Sequence, residues 1–341
     1  MGKPDLIMSN TSEPQSALKL GLVVPCFNEE QVLPQSVAKL HAELERLIDA
    51  GNIRPDSKIY LVDDGSSDAT WQRIESFVDA GLPVVGLKLT RNFGHQHALY
   101  AGLMEAEGDA LISLDADLQD DISAMEEMLD ALGKGSDSVF AVREDRSKDT
   151  VFKRWTAAAH YGLSAAMGIE TVKNHADYRL LSRRAVELLR EYRETNLYLR
   201  GIIPQLGLPA SQVYFRRGER PAGKSKYNFW RMLSLSIKGV TSFSIAPLRM
   251  IAVMGLLIFT VSMALVAWVL YAAFFIDEII PGWASTVLPM YLLGGFQLLA
   301  IGIAGEYIGK TYMEVKRRPL YHLERKLSAA EQTAAANNSG D

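Results

Sequence analysis

The sequence predicts an α/β domain built on a mostly parallel sheet, followed by two apolar segments of the kind that cross membranes. Short apolar runs alternate with segments of helical periodicity through the first half of the chain, which is typical of a parallel sheet with helices on both faces. Acidic side chains follow three of those runs, and two long uncharged runs lie near the carboxyl terminus. The alternation predicts the fold class, and the uncharged runs predict a membrane-attached protein.

The composition fits a folded protein with a substantial core. The chain of 341 residues is 48% hydrophobic and has a formal net charge of −4, which suits one large domain or two ordinary ones and excludes a wholly disordered chain. The single cysteine, Cys26, excludes a disulfide framework and a multi-cysteine zinc site. A net charge close to zero gives no indication of nucleic-acid binding, and none is expected.

Five apolar runs predict buried strands, and a helix is predicted after each of the first four. The strands are expected at 19–25, 58–64, 83–89, 109–115 and 138–143. The helices are expected at 33–48, 71–78, 95–106 and 122–132. Ligands of such sheets bind at the carboxyl ends of the strands, so the residues that follow strands are the candidates for function.

The residues that follow the first, second and fourth strands are acidic and polar. They are Asn28-Glu29-Glu30, Asp63-Asp64-Gly65-Ser66 and Asp115-Ala116-Asp117. The chain has neither GxGxxG after the first strand nor GxxxxGK[ST] anywhere, which disfavours a dinucleotide-binding or P-loop protein. Clustered carboxylates at a phosphate-binding position require a cation between them. Two carboxylates plus diphosphate oxygens suit Mg²⁺ or Mn²⁺.

The carboxyl-terminal part predicts a transmembrane hairpin. Residues 250–276 and 279–305 carry no charged side chain, and each run exceeds the roughly 20 residues that cross a bilayer as a helix. We expect transmembrane helices at 250–276 and 283–307; two buried helices of a soluble core are the alternative. The connection carries Asp277 and Glu278, whereas basic residues flank both runs, so both ends are expected in the cytoplasm.

The segment that precedes the first apolar run is basic and amphipathic. Eight basic residues and one acid, Glu219, lie between Arg216 and Arg249, which indicates a surface for anionic lipid or phosphate. A plain positive flank explains part of this charge. Aromatic and aliphatic residues alternate with the basic ones from Tyr227 onward, so residues 226–249 are expected to lie in the membrane interface as a helix.

Three motifs resemble the inverting glycosyltransferases of family two. They are PCFNEE at 25–30, VDDGSSD at 62–68 and DADLQD at 115–120. The resemblance implies the nucleotide-sugar-binding A-type fold of that family. Further segments are similar to the polyisoprenyl-phosphate glycosyltransferases, the bactoprenol glucosyltransferase type above all: RNFGHQHALYAGL at 91–103, ADYRLLSR at 176–183, AGKSKYN at 222–228 and GEYIGKTYMEVKRRP at 305–319.

The resemblance implies a role for each matching residue. The nucleotide base and ribose are expected to contact Pro25, Phe27, Glu29, Val62 and Asp64. The diphosphate and metal site is expected to comprise Asp115, Ala116 and Asp117, with Gln119 as a further metal contact. The donor or acceptor phosphates are expected to contact Arg143, Arg154, Arg220 and Lys226.

Asp117 and Asp177 are the expected catalytic residues. The proposed acceptor is a phosphate monoester, largely ionised at neutral pH because its second pKa lies near ~6. A strong general base is therefore not obligatory, and Asp177 is either a base or an orienting group for Arg179 or the sugar. A helix cap before the RLLSR segment is the alternative for Asp177. His95 and His97 lie two residues apart and cannot share a helix face, which favours positioning or core roles over metal binding.

The expected domain organisation combines the composition and charge of each segment with the extent of the resemblance. A disordered segment is expected at 1–17, the cytoplasmic glycosyltransferase domain at 18–225 and a basic cytoplasmic tail at 308–341, with the interfacial segment and the hairpin between them. The expected location is a bacterial inner membrane, with a multi-pass chain in contact with lipid. Small residues in the second apolar run would allow close helix packing, so a homo-oligomer is expected.

The expected reaction is transfer of glucose from UDP-glucose, with inversion, to undecaprenyl (polyisoprenyl) phosphate at the cytoplasmic face. Its product would serve modification of O-antigen in lipopolysaccharide or of another envelope glycan. Transfer of aminoarabinose or mannose is the alternative within the same reaction class. A non-catalytic membrane scaffold that binds a nucleotide sugar is the alternative from another class. The presence of all the acidic and basic motif residues favours an enzyme.

Overall fold

The computed structural model describes residues 17–143, 175–195, 197–215 and 283–329, with scattered positions between 248 and 271. Within them, eight strands form one sheet. The strands are β1 (Leu20–Cys26), β2 (Lys58–Asp63), β3 (Val84–Leu89), β4 (Ala110–Ser113), β5 (Ser138–Arg143), β6 (His175–Ser182), β7 (Ala210–Phe215) and β8 (Leu323–Leu327). All five strands expected from the sequence are confirmed.

The described helices alternate with the strands as predicted. They are α1 (Leu33–Asp49), α2 (Thr70–Asp79), α3 (His95–Glu105), α4 (Ala124–Gly133), α5 (Arg183–Leu189), α6 (Leu199–Gln205) and α7 (Trp283–Val315). The first four lie where the sequence predicts helices, and each follows a strand of the parallel part of the sheet.

The strand order is β7-β5-β6-β4-β1-β2-β3-β8. Strands β1 to β4 pair in parallel, as do β5 and β7. Strand β6 runs antiparallel between β4 and β5, and β8 runs antiparallel to β3 at the sheet edge. The carboxyl ends of β1, β2 and β4 therefore meet at one edge, which brings the three acidic motifs together.

Both faces of the sheet are covered. One apolar cluster packs α1, α2 and α4 on one face, and a second packs α3, α5 and α6 on the other. Strand β1 is buried along its whole length, which explains its continuous apolar sequence. Helix α3 approaches the sheet closely at Gly102, where an added Cβ would lie 2.4 Å from Cγ1 of Val23.

The carboxyl-terminal segments differ from the sequence prediction. Among the residues that the structure describes, no helix is both long enough and apolar enough to cross a bilayer, so the transmembrane hairpin is not confirmed. Most of 226–249 and much of 250–276 lie outside the described residues, and the second predicted helix, 283–307, lies within α7. Helix α7 exposes large apolar side chains, including Leu298, Ile301 and Ile308.

Strand β8 was not predicted, because its residues lie in the segment interpreted as a basic tail. Its sequence, LERKL, has apolar residues only at its ends, which is typical of an edge strand that carries charge toward solvent. Leu327 is buried in the core, and Glu324 accepts a hydrogen bond of 2.8 Å from Lys88 on β3. The chain after α7 therefore returns to the sheet.

Candidate active site

A cleft of about 240 Å³ opens at the carboxyl ends of β1, β2 and β4. Seven residues predicted from the sequence line it: Pro25, Phe27, Glu29, Asp64, Asp115, Ala116 and Asp117. Cys26, His95 and Ala98 complete the lining. The parallel register produces this convergence, since Cys26 pairs with Asp63 at the ends of β1 and β2.

Asp64 is held in a fixed orientation by the loop that follows β3. Its two carboxylate oxygens accept hydrogen bonds from the backbone N–H groups of Phe93, at 2.7 Å, and Gly94, at 2.9 Å. Burial raises the pKa of Asp64, and these two hydrogen bonds oppose the rise. Gly65 has a φ of 64°, and a Cβ there would lie 2.4 Å from the backbone of Arg91, so the close approach of the two loops requires glycine.

The first two motifs also hold each other in place. Asn28 adopts a left-handed φ of 57°, and its backbone N–H donates to Oγ of Ser66 at 3.0 Å. Its side-chain oxygen accepts from the backbone N–H of Ser67 at 2.9 Å. This arrangement leaves Phe27 with 47% of its surface exposed at the cleft. An exposed aromatic ring beside carboxylates can stack on a nucleotide base.

The acidic groups of the cleft repel one another. Burial, together with the charges of Asp117, Asp68 and Asp115, raises the pKa of Glu29. Burial also raises the pKa of Asp115; the charge of His95 opposes this, and the nearby carboxylates reinforce it. A bound cation would relieve this repulsion.

The donor set fits a magnesium-like ion shared with a ligand. Within the described part of the chain, no group of three or more histidine, cysteine, aspartate or glutamate side chains is arranged to hold a metal. Asp115 and Asp117 supply two carboxylates, and Mg²⁺ ordinarily binds through one or two carboxylates plus substrate phosphates. Gln119 donates from its side-chain amide to Asp117, so it supports a carboxylate of the cleft.

Asp177 is the centre of a buried charge network. It lies on β6, so the helix-cap interpretation is wrong: an extended strand between β4 and β5 occupies this segment. Its carboxylate accepts two hydrogen bonds from Arg200, at 3.1 and 3.0 Å, and another from Arg179. Burial opposes ionisation, but the hydrogen bond from His95 and the charges of both arginines outweigh it and hold the pKa of Asp177 well below its usual range.

His95 connects this network to the cleft. It is the first residue of α3, and its Nε2 lies 3.5 Å from Oδ2 of Asp177 and 3.6 Å from Oδ1 of Asp115. Burial opposes protonation of His95, but the hydrogen bond to Asp177 and the charge of Asp115 outweigh it, so its pKa is raised. The histidine thus lies between two carboxylates, which favour its protonated form.

The remaining predicted substrate-binding residues are Val62 and four basic residues. The side chain of Val62 is fully buried in the core beneath the cleft and is absent from its lining. Arg143 ends strand β5, and the structure describes its backbone but not its side chain. Arg154, Arg220 and Lys226 lie outside the described residues.

Sequence reasoning missed two parts of the site. The first is Arg200, whose position within the apolar segment LYLRGIIP was the available signal. The second is the pair of backbone N–H groups at Phe93 and Gly94, which carry no side-chain signal beyond the glycine itself.

Comparisons with known proteins identify the family of the chain. A family model described as Glycosyl transferase family 2 matches residues 22–190. A protein of Bacillus subtilis (strain 168) named Uncharacterized glycosyltransferase YkoT is 45% identical over 316 residues, covering 91% of this chain and 92% of that protein. The Prophage bactoprenol glucosyl transferase homolog of Escherichia coli (strain K12) is 38% identical over 309 residues, covering 90% of this chain and 99% of that one.

The SfII prophage-derived bactoprenol glucosyl transferase of Shigella flexneri is 39% identical over 310 residues, covering 90% of this chain and 98% of that protein. The family match spans β1 to β6 and includes every described residue of the cleft. The chain therefore belongs to glycosyl transferase family 2 and is a glycosyltransferase with an A-type α/β fold.

Proposed function

We propose that the protein transfers a hexosyl group, glucose from UDP-glucose in the first instance, with inversion to undecaprenyl (polyisoprenyl) phosphate at the cytoplasmic face of a membrane. The observation that carries the proposal is the single cleft that joins Phe27 and Asp64 to the carboxylates Asp115 and Asp117. The names of relatives that are 38–39% identical over most of the chain support this acceptor and this sugar.

The chemistry of the donor follows from the cleft. Phe27 offers its ring to the base, while Glu29 and Asp64 offer oxygen acceptors to ribose hydroxyls. A divalent cation, Mg²⁺ or Mn²⁺, held by Asp115 and Asp117 would neutralise the charge of the departing nucleotide diphosphate. Gln119 keeps Asp117 in place through its side-chain hydrogen bond.

The acceptor needs little help from a base. A phosphate monoester is already a nucleophile at neutral pH because its second pKa is near ~6. The lowered pKa of Asp177, and the two arginines that occupy its oxygens, make it a poor proton acceptor. We therefore assign Asp177 to positioning: it orients Arg200 and His95 at the rim of the cleft.

Association with a membrane is part of the proposal. The acceptor is a lipid, and helix α7 exposes large apolar side chains such as Met290, Leu298 and Ile301, with 68–73% of each surface accessible. Apolar surface of this extent on one helix is typical of contact with lipid or with another protein. The contact with lipid brings the cleft to the layer in which the acceptor resides.

A transfer assay tests the proposed function. The full chain, with Mg²⁺ and polyprenyl phosphate, is incubated with each of several radiolabelled nucleotide sugars, and lipid is extracted and counted. We expect the label to enter the lipid fraction most rapidly from UDP-glucose. Preference for a mannose or aminoarabinose donor would change only the proposed sugar. Absence of label in the lipid fraction with every donor would contradict the proposed acceptor.

A further inference from the structure

A second, larger groove lies where α7 ends against the catalytic domain. Its volume is about 810 Å³, and its walls come from α3, the segment after α5 and the segment 314–321. The two tyrosine rings of the groove, Tyr100 and Tyr321, meet edge to face with centroids 6.3 Å apart. The hydroxyl of Tyr321 donates to Glu105 at 2.9 Å, so the rings form a fixed apolar wall.

The charge of the groove is positive. Four exposed arginines line it: Arg190, Arg193, Arg317 and Arg318. They face two carboxylates, Glu194 and Glu314. Both carboxylate oxygens of Glu314 are engaged by the backbone N–H of Thr195, at 2.8 and 3.0 Å, so this acid fastens α7 to the domain. Arg190 pairs with Glu187 and donates to the backbone carbonyl of Met104, so Arg193, Arg317 and Arg318 are the arginines of the groove that are left for an anionic ligand.

The groove is distinct from the donor cleft. The two cavities share no lining residue. Helix α3 contributes His95 and Ala98 to the cleft but Tyr100 and Met104 to the groove. At about 1.5 Å per residue, His95 and Met104 lie roughly 14 Å apart along the helix axis. The nearest lining residues on α3, Ala98 and Tyr100, are two positions apart and therefore point to different sides of the helix.

We propose that this groove binds the phosphate of an anionic phospholipid headgroup. Arginine presents several donors in a planar fork that suits phosphate oxygens, and the tyrosine wall and Leu320 give the groove an apolar side. Just before Arg317, α7 exposes Ile308, Met313 and Val315. Apolar surface on α7 is thus followed by basic surface in the groove. This order matches a lipid whose chains lie along α7 and whose headgroup lies in the groove. The inference goes beyond the transfer reaction and takes from it only the association with a membrane.

Lipid retention by the full chain tests the proposal. The protein is purified in non-ionic detergent, and bound phosphatidylglycerol is counted by native mass spectrometry during titration. The variant carries Arg317→Gln and Arg318→Gln, and we expect its affinity for phosphatidylglycerol to fall about tenfold or more. Arg193→Gln, on the opposite wall, should lower the affinity in the same direction. Circular dichroism melting verifies that each variant is folded.

The matched control carries Lys316→Gln and Arg325→Gln, which remove the same charge from two residues outside the groove, one just before Arg317 and one on β8. Lys316 lies over the ring of Tyr312, and Arg325 pairs with Glu75. Equal loss in the control would overturn the proposal in favour of general attraction to charge. Inorganic phosphate that displaces the lipid at equal concentration would identify a free-anion site and overturn it. A groove variant that loses polyprenyl phosphate but keeps phosphatidylglycerol would identify an acceptor site instead.

Discussion

The Asp177 carboxylate accepts hydrogen bonds from two arginines and lies beside His95, so the positions of all three depend on it. Arg179 has only 1% of its surface exposed, and its Nε and Nη1 atoms have no hydrogen-bond partner among the described residues. The pair with Asp177 is therefore its main compensation in the described part of the chain. A buried cation depends strongly on such a partner because desolvation is costly.

Asp177→Asn should destabilise the fold substantially. The amide keeps the shape of the side chain but leaves Arg179 as a buried, uncompensated charge, at a cost of about 3–5 kcal/mol. Thermal or urea denaturation followed by circular dichroism measures the change. The control is Asp56→Asn, which breaks the exposed pair with Arg54 and should cost at most about 1 kcal/mol. Similar losses of unfolding free energy in both variants would show that the buried network stabilises the fold no more than an exposed ion pair does.

Asp117→Asn should abolish most transfer while leaving the protein folded. An amide is a poorer ligand for a hard cation, and loss of about 3–4 kcal/mol of transition-state stabilisation slows the reaction roughly 10²- to 10³-fold. Turnover in saturating Mg²⁺ is the measurement. Asp121→Asn is the matched control, since Asp121 lies in the same loop, is exposed and accepts from the backbone N–H of Ser123. Unchanged turnover in the Asp117 variant would exclude the metal assignment.

At the scale of elements, the parallel half of the fold was predictable because its strands are buried on both faces. Such strands appear in the sequence as continuous apolar runs, as β1 and β4 do. Strand β6 has Asp177 and Arg179 facing into the protein. Because of these charged residues, its sequence lacks the continuous apolar run that predicts a buried strand. Strand β8 has three charged residues in five. Strand ends indicated five of the seven cleft residues, Glu29, Asp64, Asp115, Ala116 and Asp117, whereas Pro25 and Phe27 were expected only from the family resemblance. Arg200 was missed because it reaches the site from a distant helix.

Gly102→Ala should loosen α3 from the sheet. The new Cβ would lie 2.4 Å from Cγ1 of Val23 and 2.8 Å from Cγ2 of Val62, so the helix or the strands must shift. Overpacking of this kind costs about 1–3 kcal/mol. Because α3 begins with His95, a shift should also lower transfer activity.

The melting temperature and the transfer rate of this variant are compared with those of Gly302→Ala. An added Cβ at Gly302 meets nothing within 4 Å, and alanine favours a helix over glycine by about 0.8–1 kcal/mol. The Gly302 variant should therefore keep both stability and activity. A Gly102 variant that behaves in the same way would mean that the close contact between α3 and the sheet relaxes without cost.

At the scale of the whole molecule, the chain leaves the catalytic domain, forms α7 and then returns to the sheet through β8. Glu314 ties the end of α7 to the backbone N–H of Thr195. The backbone carbonyl of His322 accepts from Thr90, next to the loop that holds Asp64. Helix α7 and the cleft are thus joined by a short series of direct contacts, which sets the orientation of the cleft relative to the exposed apolar side chains of α7.

Membranes that contain the protein should retain it in high salt and release it in detergent. Salt screens attraction between basic residues and anionic headgroups, because the Debye length falls to about 3 Å at 1 M. Burial of large apolar side chains, worth about 1.5–3 kcal/mol each, is not weakened by such screening. The exposed side chains Leu298, Ile301 and Ile308 on α7 therefore predict attachment through burial of apolar side chains, which salt does not weaken. Sedimentation after each wash measures the fraction of the protein that stays with the membranes. The control is a protein that binds membranes through charge alone. Release of the enzyme in salt would mean that its arginines and lysines, rather than α7, attach it.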